Sequence, residues 1–197
     1  MVNFDKAFLN TNGFIAGIDE AGRGPLAGPV CVACVIMPLD DQSIIEGVND
    51  SKKLSEKKRE ELNEKIKDKA IDYSIVFIDE KTIDEINILN ATKFGMKNAL
   101  EQLSVKPDIV LIDAVKIEYD VPVKSIIKGD AKSYSIACAS ILAKVARDNF
   151  MKNLGDEFKK YQFEKHKGYG TSAHIKLLEE FGPCELHRKT FIKNFVK

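Results

Sequence analysis

Long apolar runs are missing from this 197-residue chain. Nothing in it approaches the roughly 20 consecutive apolar residues that a membrane helix needs, which predicts a soluble protein with no membrane partner. Net charge is missing as well: thirty Lys and Arg offset thirty Asp and Glu. Composition therefore gives no general attraction to polyanions, and only a local gathering of basic groups would serve one. Histidine is scarce, with His166, His174 and His187 the only three, and none has an evident catalytic pairing. The four cysteines, Cys31, Cys34, Cys138 and Cys184, sit among small or apolar neighbours with no secretory signal ahead of them. That pattern argues against a disulfide framework and predicts a reduced, cytoplasmic compartment. Cys31-x-x-Cys34 has redox-motif spacing, but it lies inside the apolar run Val30 to Met37 and no further Cys or His follows at zinc spacing, so the cysteines read as small core residues. Repeats, low-complexity tracts and long linkers are absent too. The length fits one domain over residues 1–197, with about 155–197 a helical C-terminal extension.

What is present begins with Gly17-Ile18-Asp19-Glu20-Ala21-Gly22-Arg23-Gly24-Pro25-Leu26-Ala27-Gly28-Pro29. The apolar run Phe14 to Ile18 predicts a short buried strand, and Asp19-Glu20 closes it with hard oxygen ligands at the carboxyl edge of a sheet. Buried acids need counter-charge, most simply a divalent cation. The glycines leave backbone N–H groups bare for close approach to a sugar or phosphate, and Arg23 adds a planar donor fork. Alone, the stretch is also compatible with a tight turn carrying solvated charges, and it lacks the Gly-Lys-Ser/Thr ending of a phosphate-binding P-loop.

Further along, runs at 14–19, 29–37 and 71–78 read as strands, the first two as an antiparallel hairpin across the Gly/Pro turn. Ser55 to Ala70 has the spacing of an amphipathic helix, and a second helix is expected over Thr82 to Leu103. Asp108 to Asp113 repeats the first pattern, a buried strand ending in an acid, although a lone Asp there also serves as a turn or cap. Two such ends side by side would repel unless a cation or proton lay between them. Val123 to Ile127 is a short strand. Asp130 is expected just before the N-terminus of an alanine-rich helix over Ser133 to Leu154, where capping alone would explain it and a fourth converging acid is the other reading. Lysines gather at Lys52-Lys53 with Lys57-Lys58-Arg59, and at Lys159-Lys160 with Lys165-His166-Lys167, patterns also shown by solvated helix faces. His166-Lys167-Gly168-Tyr169-Gly170-Thr171 holds an aromatic open between glycines, able to stack on a sugar or base or to pack on its own domain. A helix over Ser172 to Phe181 ends at Gly182-Pro183.

Taken together, the segment 17–30, Asp50-Ser51-Lys52-Lys53-Leu54, Ile112-Asp113-Ala114, Lys128-Gly129-Asp130, Ala139 to Asp148 and His166 to Thr171 resemble bacterial ribonuclease HII, in the family's order and over nearly the whole chain. The resemblance implies an RNase H-like α/β fold with a mixed central sheet flanked by helices and a small helical C-terminal region. It implies an endonuclease that hydrolyses the RNA strand of RNA–DNA hybrids and cuts 5′ to single ribonucleotides in duplex DNA, with a role in ribonucleotide removal. The family's metal-site acids correspond to Asp19, Glu20, Asp113 and Asp130, holding Mn²⁺ or Mg²⁺. Its segment that reads the ribose 2′-hydroxyl corresponds to Gly22, Arg23 and Gly24, its sugar-stacking tyrosine to Tyr169, and its phosphate-contacting loop to Ser51, Lys52 and Lys53. Ala114 departs from a position where glycine is common in the family. The related HIII type carries an extra N-terminal domain and a different fourth acid, neither of which is seen here.

Carboxylates of this kind suit two cations that activate water and stabilise a leaving 3′-oxygen in one in-line displacement, giving a 3′-hydroxyl and a 5′-phosphate without a nucleophilic side chain. Bulky substitution at Gly22 or Gly24 is expected to cut cleavage far more than folding. The alternatives are a catalytically inactive nucleic-acid-binding module of the same fold, disfavoured because a binder gains nothing from acids where phosphate must sit, and a metal-dependent phosphatase or small-molecule phosphotransferase. The expected state is a monomer. A sliding clamp is a further conceivable partner, but Phe191 to Lys197 makes no convincing clamp-binding tail.

Overall fold

The computed structural model describes residues 1–9 and 13–196. In chain order the elements are α1 (Val2–Lys6), β1 (Ile15–Ala21), β2 (Val30–Ile36), a 3-10 turn (Ser51–Lys53), α2 (Glu56–Lys69), β3 (Asp72–Ile78), α3 (Glu80–Glu101), β4 (Ile109–Asp113), β5 (Val123–Ile126), α4 (Gly129–Lys132), α5 (Tyr134–Lys152), a second 3-10 turn (Asp156–Tyr161), α6 (Phe163–His166), α7 (Ser172–Phe181) and α8 (Lys189–Ile192). No helix of the described residues is long and apolar enough to cross a membrane.

The strands form one mixed sheet in the order β3-β2-β1-β4-β5. β1 and β2 make the expected hairpin, β3 joins antiparallel on β2, and β4 and β5 run parallel to β1. Every residue of β2 is buried, as a strand covered on both faces must be. Val30, Val32, Cys34 and Ile36 pack with Ile83, Met96 and Leu100 of α3 on one face. Cys31, Ala33 and Val35 pack with Leu62 and Ile66 of α2 and Cys138, Leu142 and Val145 of α5 on the other. Cys31 and Cys34 thus face opposite layers, and burial pushes both thiols up, Cys31 to about 12. They are core residues and form no redox pair.

Two expectations need correction. The helix expected over 82–103 runs over 80–101 and is broken at Asn87, whose φ is 65°. The Asn87 Oδ1 accepts the N–H groups of Leu89 and Asn90 and so caps the second segment, a local bond that competes with continuous helix. Asp130 does not cap the long helix either. It lies within the separate turn α4, while Ser133 caps α5 by accepting the Ile136 N–H.

The first turn of α5 lies directly on β1. A Cβ placed on Gly17 would fall 2.2 Å from the backbone of Ser135, so glycine is required for this approach. The same turn is held from its far side by Asp5, whose Oδ2 accepts the Ser135 N–H at 2.8 Å. This docking places the carboxyl ends of β1 and β4 beside α4 and the first turns of α5.

Candidate functional site

Asp19 and Asp113 come together because β1 and β4 run parallel in register, Ile18 opposite Ile112, with one acid following each. Asp19 is buried, and its Oδ1 accepts the Glu20 N–H at 2.8 Å. Burial and then the neighbouring Glu20 carboxylate hold Asp19 well above the usual carboxylate range. Burial also raises Glu20, against the pull of Arg23, whose Nη1 lies 3.2 Å from Glu20 Oε1. The other oxygen, Glu20 Oε2, is buried without a hydrogen-bond partner. Asp113 Oδ1 accepts the Gly129 N–H at 2.7 Å, which ties the end of β4 to the turn carrying Asp130. Asp130 is buried and raised by burial and by Asp50 and Asp113, and Lys52 Nζ stands 3.8 Å from its Oδ2.

Among the described residues these acids do not converge into a ready ligand cage. Arg23 and Lys52 stand at Glu20 and Asp130 instead. The donor set is nonetheless suited to a hard divalent cation: carboxylate oxygens, one of them buried and unpartnered, with the charged forms disfavoured by burial and mutual repulsion. A cleft of about 200 Å³ opens at this edge, lined by Asp19, Glu20, Gly22, Arg23, Ser51, Lys52, Ser140, Lys144 and Tyr169, with Ala21. A larger groove of about 860 Å³ lies between α3, residues 116–118 and β5, but Glu118 is the only acid lining it, so the smaller cleft is where the chemistry gathers.

The glycine loop leaves β1 at Gly22, which has φ 97°, and a Cβ there would fall 2.0 Å from Arg147 Nε. Bulk at Gly22 must therefore displace Arg147, so a cost to folding accompanies the expected loss of cleavage there. Gly24 differs, since its missing Cβ faces open space. Beneath the loop lie two arginines with no accessible surface to speak of. Arg147 donates to the carbonyls of Pro29, Ala27 and Lys167 at 2.9, 3.1 and 3.0 Å. Arg188 donates to Gly22, Arg23 and Gly28 at 2.6 to 3.0 Å. Burial lowers the Arg188 guanidinium to about 9, still a cation at neutral pH.

Of the expected phosphate loop, Ser51 and Lys52 line the cleft while Lys53 stays exposed and outside it. Asp50 shapes this turn by accepting the Lys52 N–H, and Ser51 Oγ meets Ser140 Oγ at 2.8 Å. Tyr169 is 42% exposed, its ring 5.8 Å from both Lys144 Nζ and Arg147 Cζ. An open face of this kind is available for stacking.

Sequence reasoning singled out the segment 139–148 without giving Ser140, Lys144 or Arg147 a role, and it missed Arg188 and the association of the histidines. The Cys184 N–H donates to His187 Nδ1, so His187 must donate from Nε2 to His174 Nε2, 3.1 Å away, and His174 Nδ1 donates to the Tyr169 carbonyl at 3.0 Å. A directional chain of imidazoles thus ends on the backbone of the cleft tyrosine. Nothing local in the sequence announces it. Arg147 was more legible: it stands four residues after Ala143 on the stripe of α5 that also carries Ile136 and Ala139.

Comparison with known proteins identifies the family and the fold. The family model Ribonuclease HII matches residues 16–194. A ribonuclease HII from Caldicellulosiruptor saccharolyticus is 60% identical over 185 residues, covering 93% of this chain and 89% of that protein. Among solved structures, the ribonuclease H2 of Pyrococcus horikoshii OT3 superposes with a TM-score of 0.77 at 28% identity, over 92% of this chain and 96% of its own. The RNase HII of Archaeoglobus fulgidus, solved in complex with PCNA, gives 0.75 at 28% identity, over 89% and 93%.

Proposed function

Since the chain belongs to the ribonuclease HII family and is a nuclease with an RNase H-like α/β fold, we propose that it hydrolyses the RNA strand of RNA–DNA hybrids and nicks duplex DNA on the 5′ side of a single ribonucleotide, leaving a 3′-hydroxyl and a 5′-phosphate, and so serves ribonucleotide removal. The observation that carries this reading is the meeting of Asp19-Glu20 and Asp113 at adjacent parallel strand ends, beside a cleft that Gly22 and Arg23 also line.

Asp19, Glu20, Asp113 and Asp130 would hold Mn²⁺ or Mg²⁺. The chemistry a bound pair supplies is polarisation of the phosphodiester, a more acidic attacking water and charge neutralisation at the leaving oxygen. The chain's own part is to position and select. Glu20, whose Oε2 is buried without a hydrogen-bond partner, would be one of the residues holding such a cation. Gly22 to Gly24 bring main-chain donors to the ribose, where the 2′-hydroxyl is what separates RNA from DNA. Tyr169 stacks on the adjacent sugar, and Lys52, with Ser51 beside it, meets a phosphate once released from Asp130. A clamp-binding role for the tail is not favoured, because Phe191 and Phe195 pack with Leu26, Leu178 and Ile192 of this chain.

The test is cleavage of a labelled duplex carrying one ribonucleotide, with Mg²⁺, Mn²⁺ or chelator, beside an all-DNA control. A metal-dependent nick 5′ to the ribonucleotide, absent from the control, is expected. Folded protein that cuts neither with either metal would return the site to binding alone.

A further inference from the structure

The N–H groups of Arg23 and Gly24 donate no hydrogen bond among the described residues, although Arg23 lines the cleft and Gly24 follows it directly. Their direction has a traceable cause. In a trans peptide unit the C=O and the following N–H point opposite ways, and the chain holds no cis peptide bond among the described residues. Arg188 Nη2 takes the Gly22 carbonyl at 2.6 Å and its Nη1 takes the Arg23 carbonyl at 3.0 Å, both pulled inward. The partner amides of those two peptide units, on Arg23 and Gly24, are thereby turned away from the buried guanidinium.

The same fork closes the loop. Its Nε and Nη2 also bind the carbonyl of Gly28, so one side chain joins residue 22 to residue 28. The backbone around it locks Arg188 in place: its own N–H donates to the Leu26 carbonyl, and the Gly28 N–H donates to the Leu186 carbonyl, each at 2.9 Å. Arg188 makes no ion pair with a carboxylate among the described residues. A fully buried cation whose hydrogen-bond partners are all loop carbonyls is arranged to shape that loop, since a planar fork holds several acceptors in fixed directions where an ammonium is a compact, rotatable point charge.

We infer that Arg188 is a positioning residue for ribose discrimination: it orients the Arg23 and Gly24 amides toward the 2′-hydroxyl without itself touching the substrate. The inference rests on the proposed reading of the ribose by this loop.

It is tested by steady-state cleavage of a duplex with one ribonucleotide, in parallel with inhibition by a matched all-DNA duplex as competitor. In Arg188→Met, kcat/KM on the ribonucleotide duplex is expected to fall about tenfold or more, while the competitor's inhibition constant stays within about twofold. Arg188→Lys, which can satisfy one carbonyl, is expected to fall between wild type and Arg188→Met, and it carries the measurement if Arg188→Met does not fold. Equal losses toward both duplexes in a variant that melts like wild type indicate general packing and overturn the inference, as does an unchanged ratio. If the wild-type enzyme itself binds both duplexes equally, the ribose reading fails along with the inference, and that failure is seen without any variant.

Discussion

The carboxylates at the ends of β1 and β4 and the guanidiniums beneath the glycine loop are both buried charges, yet they are met very differently. Arg147 and Arg188 have carbonyl partners on every nitrogen, whereas Glu20 keeps a buried oxygen with none and Asp19 is shifted far up by burial and by its neighbour. Satisfied charge holds backbone in one shape. Unsatisfied charge leaves a demand for counter-charge. The molecule therefore places its rigidity under the loop and its electrostatic strain at the sheet edge, and the two meet at Gly22.

The largest effect that would break this comparison is at Asp19. Asp19→Asn is expected to cut cleavage about 100-fold or more, since a ligand charge is lost. The sign of its effect on stability is opposite. A carboxyl raised in the folded state favours folding at low pH and loses that contribution as pH rises through the folded pKa, so above the range where the unfolded chain ionises, Asp19 weighs against the metal-free fold. The Asn variant should melt a few degrees higher than wild type in chelator at neutral pH, as followed by circular dichroism. A lower melting temperature would mean the acid edge is not strained.

Next come the glycines. Gly22→Ala must move Arg147 and adopt a left-handed φ, and is expected to cost about 2 kcal/mol or more in denaturant unfolding. Gly24→Val, into open space, should change stability by no more than about 0.5 kcal/mol while sharply lowering cleavage. Equal unfolding free energies for the two would dissolve the distinction between supported and presented parts of the loop.

The smallest effect concerns the histidines, a third way of burying a titratable group: neutral. Burial, then His174, lowers His187 to about 4, and burial also lowers His166 and His174. The unfolded chain takes up these protons first, so the stability they contribute is present above about pH 6.5 and is lost as pH falls toward 4. His187→Gln keeps an N–H donor toward His174 and cannot titrate. Its melting temperature should fall less steeply than that of wild type between those limits, by several degrees at the acid end. Parallel curves would remove His187 from the account.

The hairpin, the strand-end acids and the amphipathic helices were legible because each is a local pattern, period two or 3.6, closed by a turn residue or a charge. The acids at 19 and 113 were each legible as the close of an apolar run, but that the two runs lie side by side is a matter of the β1–β4 register. What was not legible depends on long-range partners. Asn87 looks like any polar helix residue until its side chain caps the next turn. Ala114 takes φ 50°, a left-handed conformation its residue type does not announce. His174 and His187, thirteen apart, share a bond only because α7 and the segment before α8 fold back together. Arg188 lies 165 residues from Arg23 in sequence, and no window spans them.

That separation also orders events in time. During synthesis β1, β4 and α4 emerge with Asp19, Asp113 and Asp130 well before residue 188 leaves the ribosome, and upstream parts of a chain can fold first. A growing chain thus holds its acids before it holds the side chain that ties residues 22, 23 and 28 into one shape. On the proposed reading, the means of selecting ribose is acquired later than the means of cutting.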